Sequence, residues 1–139
     1  MKRVLFDVNV VLDVLLDRKP YVEASAAVWA AVETGAGEGF LAAHAVTTIH
    51  YLVRKEIGSV KAQAIISSIL RVFDVAAVDS DVIQEALHSS FSDFEDAVTA
   101  AAARRAHCDY IVTRDPSGFR RSAIRALPPV AALQFFKLI

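Results

Sequence analysis

Two short apolar runs in this chain lead into aspartates: Val4-Leu5-Phe6 ends at Asp7, and Tyr110-Ile111-Val112-Thr113-Arg114 is followed by Asp115. Continuous apolar runs of this length are the pattern of strands buried on both faces of a parallel sheet. A carboxylate at the end of such a strand is costly unless something charged or hydrogen-bonding meets it. Asp93 and Asp96, within Ser92-Asp93-Phe94-Glu95-Asp96, add acids at the head of an alanine-rich helical segment. Three such ends brought together make a site for a hard divalent cation, and hence for phosphoryl chemistry.

The intervening sequence alternates between strand-like and helix-like patterns. Val10–Leu16 has helical spacing with Asn9 as N-cap, and a second helix starts at Pro20 and runs to Val32. Gly35, Gly37 and Gly39 break it, and Phe40–Ala43 reads as a strand. Val46–Lys55 is expected as a helix, followed by another capped by Ser59 and a strand over Val72–Val78. Ser80 is expected to cap Asp81–His88, and Ser92 with Glu95 to form a capping box on the helix ending at Arg105. Asp109–Thr113 reads as a strand, Ile124–Leu127 as a short edge strand and Val130–Leu138 as a final helix. The order implies right-handed βαβ units. The expected fold is one α/β domain over residues 1–139, a three-layer α/β/α arrangement around a mostly parallel four- to five-stranded sheet.

Composition removes other classes. The chain is 55% hydrophobic with a mean hydropathy of +0.40, mostly through Ala and Val, yet no stretch approaches the ~18 apolar residues of a spanning helix. Lys2 and Arg3 before Val4-Leu5-Phe6 imitate a signal peptide, but Asp7, Asn9 and Asp13 interrupt it. A cytoplasmic location with no membrane association is therefore expected. Cys108 is the only cysteine, which excludes an intramolecular disulfide and a cysteine zinc site. The apolar content of so small a chain leads us to expect a homodimer. From Arg104 onward seven basic residues face two acidic ones, a local balance of +5, against −6 for residues 1–103. A basic segment beside an acidic site fits a polyanionic substrate.

Taken together, Val4-Leu5-Phe6-Asp7-Val8-Asn9-Val10-Val11-Leu12-Asp13, Asp93-Phe94-Glu95-Asp96-Ala97 and Ile111-Val112-Thr113-Arg114-Asp115 with Phe119 resemble the PIN-domain family, in particular its small VapC-like toxin nucleases. The resemblance covers essentially the whole chain. It implies a metal-dependent endoribonuclease using Mg²⁺ or Mn²⁺, with RNA as substrate and a separately encoded antitoxin as partner. It carries the metal-ligand and catalytic roles to Asp7, Asp96 and Asp115, with Asp93 as an additional acid. Asn9 and Thr113 match positions that orient such acids. Arg114 is expected to face the phosphate backbone or to form a surface ion pair. The family commonly has a glutamate in the helix after the second strand. Here that stretch is Ala45-Val46-Thr47-Thr48-Ile49-His50, and Thr48 stands at the matching position. The departure leaves open a weakened PIN domain that binds RNA or protein without cutting. A receiver domain or haloacid-dehalogenase-like phosphatase would also use a strand-end aspartate. Asn9 stands where the phosphatase needs a second acid, however, and no lysine follows a late strand as a receiver requires.

Overall fold

The computed structural model describes residues 1–137. Five parallel strands form one sheet in the order β3-β2-β1-β4-β5. They are β1 (Lys2–Phe6), β2 (Gly37–Ala42), β3 (Phe73–Ala76), β4 (Tyr110–Val112) and β5 (Arg125–Leu127). Helices α1 (Val8–Leu15), α2 (Val22–Glu33), α3 (Ala43–Ile57), α4 (Ser59–Ile69), α5 (Ser80–Leu87), α6 (Phe94–Arg105) and α7 (Pro129–Lys137) connect and cover them. This is the three-layer arrangement expected from the alternating pattern, with β1 at the centre of the sheet.

Side chains of successive strand residues point to opposite faces, and this chain builds a core on each. Val4, Phe6, Leu41 and Val112 pack with α1–α4 and α7. Leu5, Phe40, Ala42 and Ile111 pack with the alanines of α6 and with α5. Ala97, Val98 and Ala100–Ala103 are all buried, so small side chains let α6 lie close to the sheet. Among the described residues, no helix is long and apolar enough to cross a membrane.

Several boundaries differ from the sequence reading, mostly for one reason: carboxylates take the cap positions from neighbouring residues. Asp7, not Asn9, caps α1 through the Val8 amide. Asp79, not Ser80, caps α5 by accepting from the Val82 amide at 3.0 Å. Asp93, not Ser92, caps α6 through the Asp96 amide at 2.9 Å, so the expected Ser92–Glu95 capping box does not form. A charged acceptor gains more from the positive end of a helix than a hydroxyl does. Gly58, at φ 88°, both ends α3 and opens α4, leaving Ser59 as the first helical residue. Pro20 precedes α2 rather than lying in its first turn. The last helix begins at Pro129; the expected end at Leu138 lies outside the described residues.

The glycines that end α2 in the sequence reading have a second role. Gly37 and Gly39 lie inside β2, earlier than the expected start at Phe40. A Cβ at Gly39 would sit 2.7 Å from the Phe73 ring and 3.2 Å from Val32, and one at Gly37 would collide with Phe136. Phe73 in turn meets the edges of Phe6 and Trp29 at 4.9 and 5.1 Å. This aromatic cluster is built against bare backbone. Gly39→Ala is therefore expected to lower stability by about 1–3 kcal/mol through overpacking, read as a lower urea midpoint with an unchanged slope.

Candidate metal centre and its acidic residues

The acids gather at the carboxyl ends of β1 and β4, where open α/β sheets place their functional crevice. Asp7 follows β1, and its amide donates to the Val112 carbonyl at 2.9 Å. Its carboxylate accepts from the Val8 amide and from the Thr113 hydroxyl, each at 2.9 Å. The Thr113 oxygen also accepts from the Asp115 amide at 3.1 Å. One fully buried hydroxyl thus joins the two strand-end acids. Ser117 then donates to Asp115 Oδ1 at 2.6 Å.

The third contribution comes from the start of α6. Ligand oxygens of Asp93, Glu95 and Asp96 all lie within 4.8 Å of one another. Gly118, in the short 3₁₀ turn Pro116–Phe119, ties this group to the strand ends: a Cβ there would lie 2.9 Å from Asp96 Oδ2 and 3.5 Å from Asp115 Oδ2. The turn carrying Gly118 therefore lies directly against both carboxylates, and a side chain there would push the Asp96 carboxylate aside.

The electrostatics follow from this crowding. Partial burial, together with the charges of Asp93, Asp7 and Glu95, pushes the Asp96 carboxyl up to about 7. Burial also raises Asp7, helped by the Glu95 charge and opposed by the Thr113 hydrogen bond. Glu95 is shifted the other way. His44 Nε2 lies 2.6 Å from its Oε2, and that hydrogen bond, with another from Thr99 at 2.9 Å, holds its carboxyl below the usual range. Hard oxygen donors that repel one another, one of them near half-protonated at neutral pH, are a donor set that suits Mg²⁺ or Mn²⁺. Ion binding would release the Asp96 proton.

Not every expected site residue is engaged as expected. Glu95, expected only as a helix cap, belongs to the acidic group. His44, on the first turn of α3, was not singled out by its sequence context, because its contact with Glu95 spans 51 residues. Thr48 is exposed and makes only a long 3.5 Å contact to the His44 carbonyl on its own helix. Asn9 Oδ1 meets the Arg114 amide at 3.5 Å.

Arg114 was expected to face phosphate or to pair at the surface. Its side chain is instead directed toward α1 and α2. Nε lies 2.9 Å from Oδ2 of Asp13, which is completely buried, and the guanidinium sits 4.0 Å above the Tyr21 ring. The Nε–H is not aimed at the carboxylate, so the contact is an ion pair by distance rather than an aligned hydrogen bond. Ser25 adds a long 3.3 Å hydrogen bond to Asp13. A buried carboxylate requires its cation, and this one fixes the backbone between Thr113 and Asp115.

A PIN-domain family model matches residues 3–117, which include every acid described above. The chain belongs to the PIN-domain family. No curated protein matches it significantly. Among solved structures, this PIN domain is similar to DNA-bound VapBC from Salmonella typhimurium at 14% identity, with a TM-score of 0.69 over 93% of this chain and 99% of that one. It is also similar to a toxin–antitoxin complex from Klebsiella pneumoniae at 16% identity, with a TM-score of 0.68 and coverages of 91% and 97%. Mycobacterium tuberculosis VapC20, described as a sarcin–ricin-loop-cleaving toxin, matches at 15% identity with a TM-score of 0.62 and coverages of 78% and 86%. At these identities the likeness is one of fold.

The Arg114 assignment has a direct consequence. Arg114→Met should cost about 3 kcal/mol by stranding a buried carboxylate; the low end applies because the Arg114 side chain is 27% exposed. Adding Asp13→Asn should recover part of that loss in chemical denaturation.

Proposed function

We propose that this PIN domain is a divalent-metal-dependent endoribonuclease and the toxin component of a toxin–antitoxin pair, acting in the cytoplasm. What supports the reading is the group of Asp93, Glu95 and Asp96 beside the strand-end acids Asp7 and Asp115, with Asp96 pushed up to about 7 by partial burial and by the charges of Asp93, Asp7 and Glu95. Surface ion pairs do not require such an arrangement; a cation between carboxylates does.

Asp7, Asp96 and Asp115 would hold Mg²⁺ or Mn²⁺, with Asp93 and Glu95 beside them. A bound ion supplies Lewis acidity toward the phosphodiester and a more acidic water as nucleophile. The rest is positioning by the chain. Thr113 keeps Asp7 and Asp115 in register through one hydroxyl. Asp93 orders the first turn of α6 by accepting from the Asp96 amide. His44 and Thr99 fix Glu95, which brings a carboxylate to the site although α3 offers none near Thr48. Asn9 meets the backbone between Thr113 and Asp115 from the α1 side.

The partner assignments rest on likeness to complexes named as toxin–antitoxin pairs. An antitoxin segment with a basic side chain would fit among the carboxylates, and a homodimer would cover part of the apolar surface. A second reading, a PIN domain that binds RNA without cutting it, draws support from exposed Thr48 at the position of the usual glutamate.

A cleavage assay separates the two readings. With a structured RNA substrate in Mn²⁺, the parent protein should cut, while Asp7→Asn, Asp96→Asn and excess EDTA should each reduce the rate by at least about 100-fold, the scale of a lost acid–base or electrostatic group. Equal cleavage by Asp96→Asn would remove the assignment of a metal-dependent nuclease.

A further inference from the structure

A cluster of carboxylates repels a nucleic acid, so a strand that reaches it needs a cationic surface close by. Three arginines of the C-terminal half are already engaged. Arg104 and Arg105 are paired with Glu85, and Arg114 with Asp13. Like Arg71 and Arg125, Arg120 and Arg121 are exposed and enter no ion pair among the described residues. They follow the Pro116–Phe119 turn and line a polar cleft of about 150 Å³ with Ser90, Ser92, Ser117 and Gly118.

Gly118 connects this cleft to the acids. It walls the cleft, and a Cβ built on it would meet Asp96 Oδ2 and Asp115 Oδ2. Ser117, another lining residue, donates to Asp115. The arginine pair therefore follows directly on the four-residue turn that lies against the acidic group. Phe91 and Arg121 extend the surface into a second depression along α6, of about 160 Å³.

We propose that the cleft between Ser90–Ser92 and Ser117–Arg121 is a phosphate subsite for an RNA strand. It rests on the ribonuclease reading above, and it replaces Arg114 as the backbone contact with Arg120 and Arg121. The two guanidinium groups bind phosphates next to the one presented to the carboxylates, and the serine hydroxyls add neutral donors. Guanidinium forks suit phosphate oxygens, and contacts of this kind position a strand without reading its sequence. RNA is favoured over an acidic protein segment because the cleft adjoins the group proposed to act on a phosphodiester.

The test is the salt dependence of binding to a fluorescein-labelled single-stranded oligoribonucleotide, measured by anisotropy in the Asp7→Asn background so that the probe survives. Arg120→Ala/Arg121→Ala should flatten the slope of log Kd against log salt by about 1.4, from about 0.7 per single-strand phosphate contact. That change corresponds to roughly 20-fold weaker binding at 0.1 M salt. Arg71→Ala, before β3 at the opposite end of the sheet, should leave the slope unchanged, and Arg120→Lys/Arg121→Lys should largely keep it. An unchanged slope in the double alanine variant, with its melting temperature intact, overturns the subsite. So does normal RNA binding accompanied by loss of a protein partner, which would make the cleft a protein contact. The outcome is separable from the cleavage reading. A parent protein that binds through the arginines but never cuts in Mn²⁺ sinks only the nuclease, and one that cuts while the variant binds normally sinks only the subsite.

Discussion

Carboxylates gathered at one end of a parallel sheet repel one another, and the fold has to hold them in place although Asp93, Glu95 and Asp115 face solvent while Asp7 is buried. The Thr113 hydroxyl does much of this. It donates to Asp7 at 2.9 Å and accepts from the Asp115 amide at 3.1 Å, and it is fully buried. Through it the ends of β1 and β4 share one hydrogen-bonded joint, so the register of those strands fixes the spacing of the two acids. A buried hydroxyl with both capacities used is stable in the low-dielectric interior, whereas a half-satisfied one there would cost about 1–3 kcal/mol. The position of α6 then adds the remaining acids.

The arrangement separates charges by environment. Glu95 is kept ionised by His44 and Thr99, while partial burial and three neighbouring acids push Asp96 up to about 7. Adjacent carboxylates whose environments push them in opposite directions are the pattern expected where charge is handled, not merely solvated. Arg114 belongs to a different layer of the design. Its ion pair with buried Asp13 ties the residue before Asp115 to α1, while Arg120 and Arg121 enter no ion pair among the described residues.

Much of this was legible in the sequence because it is local. Apolar runs ending in Asp7 and Asp115 mark buried strands whose ends need partners, and alanine repetition over residues 97–103 marks a helix packed tightly on a sheet. The parallel order followed from strands alternating with helices. Cap positions slipped by a residue or two because Asp and Ser or Asn neighbours compete for the same amides, and the sequence pattern does not weigh charge against the helix dipole. Gly37 and Gly39 read as breakers because the close approach of Phe136 and Phe73 comes from distant parts of the chain. The Glu95–His44 pair and the inward turn of Arg114 depend on contacts 51 and 101 residues apart, which no local pattern encodes.

The acids at the ends of β1 and β4 and the start of α6 are proposed to hold a cation. The most direct measurement is anomalous diffraction from crystals soaked in Mn²⁺ near pH 8, where Asp96 is ionised. An anomalous peak is expected about 2.0–2.3 Å from oxygens of Asp96 and of at least one strand-end acid, Asp7 or Asp115. Soaked crystals that show no peak at these carboxylates at saturating Mn²⁺, or an ion held elsewhere on the surface, would contradict it.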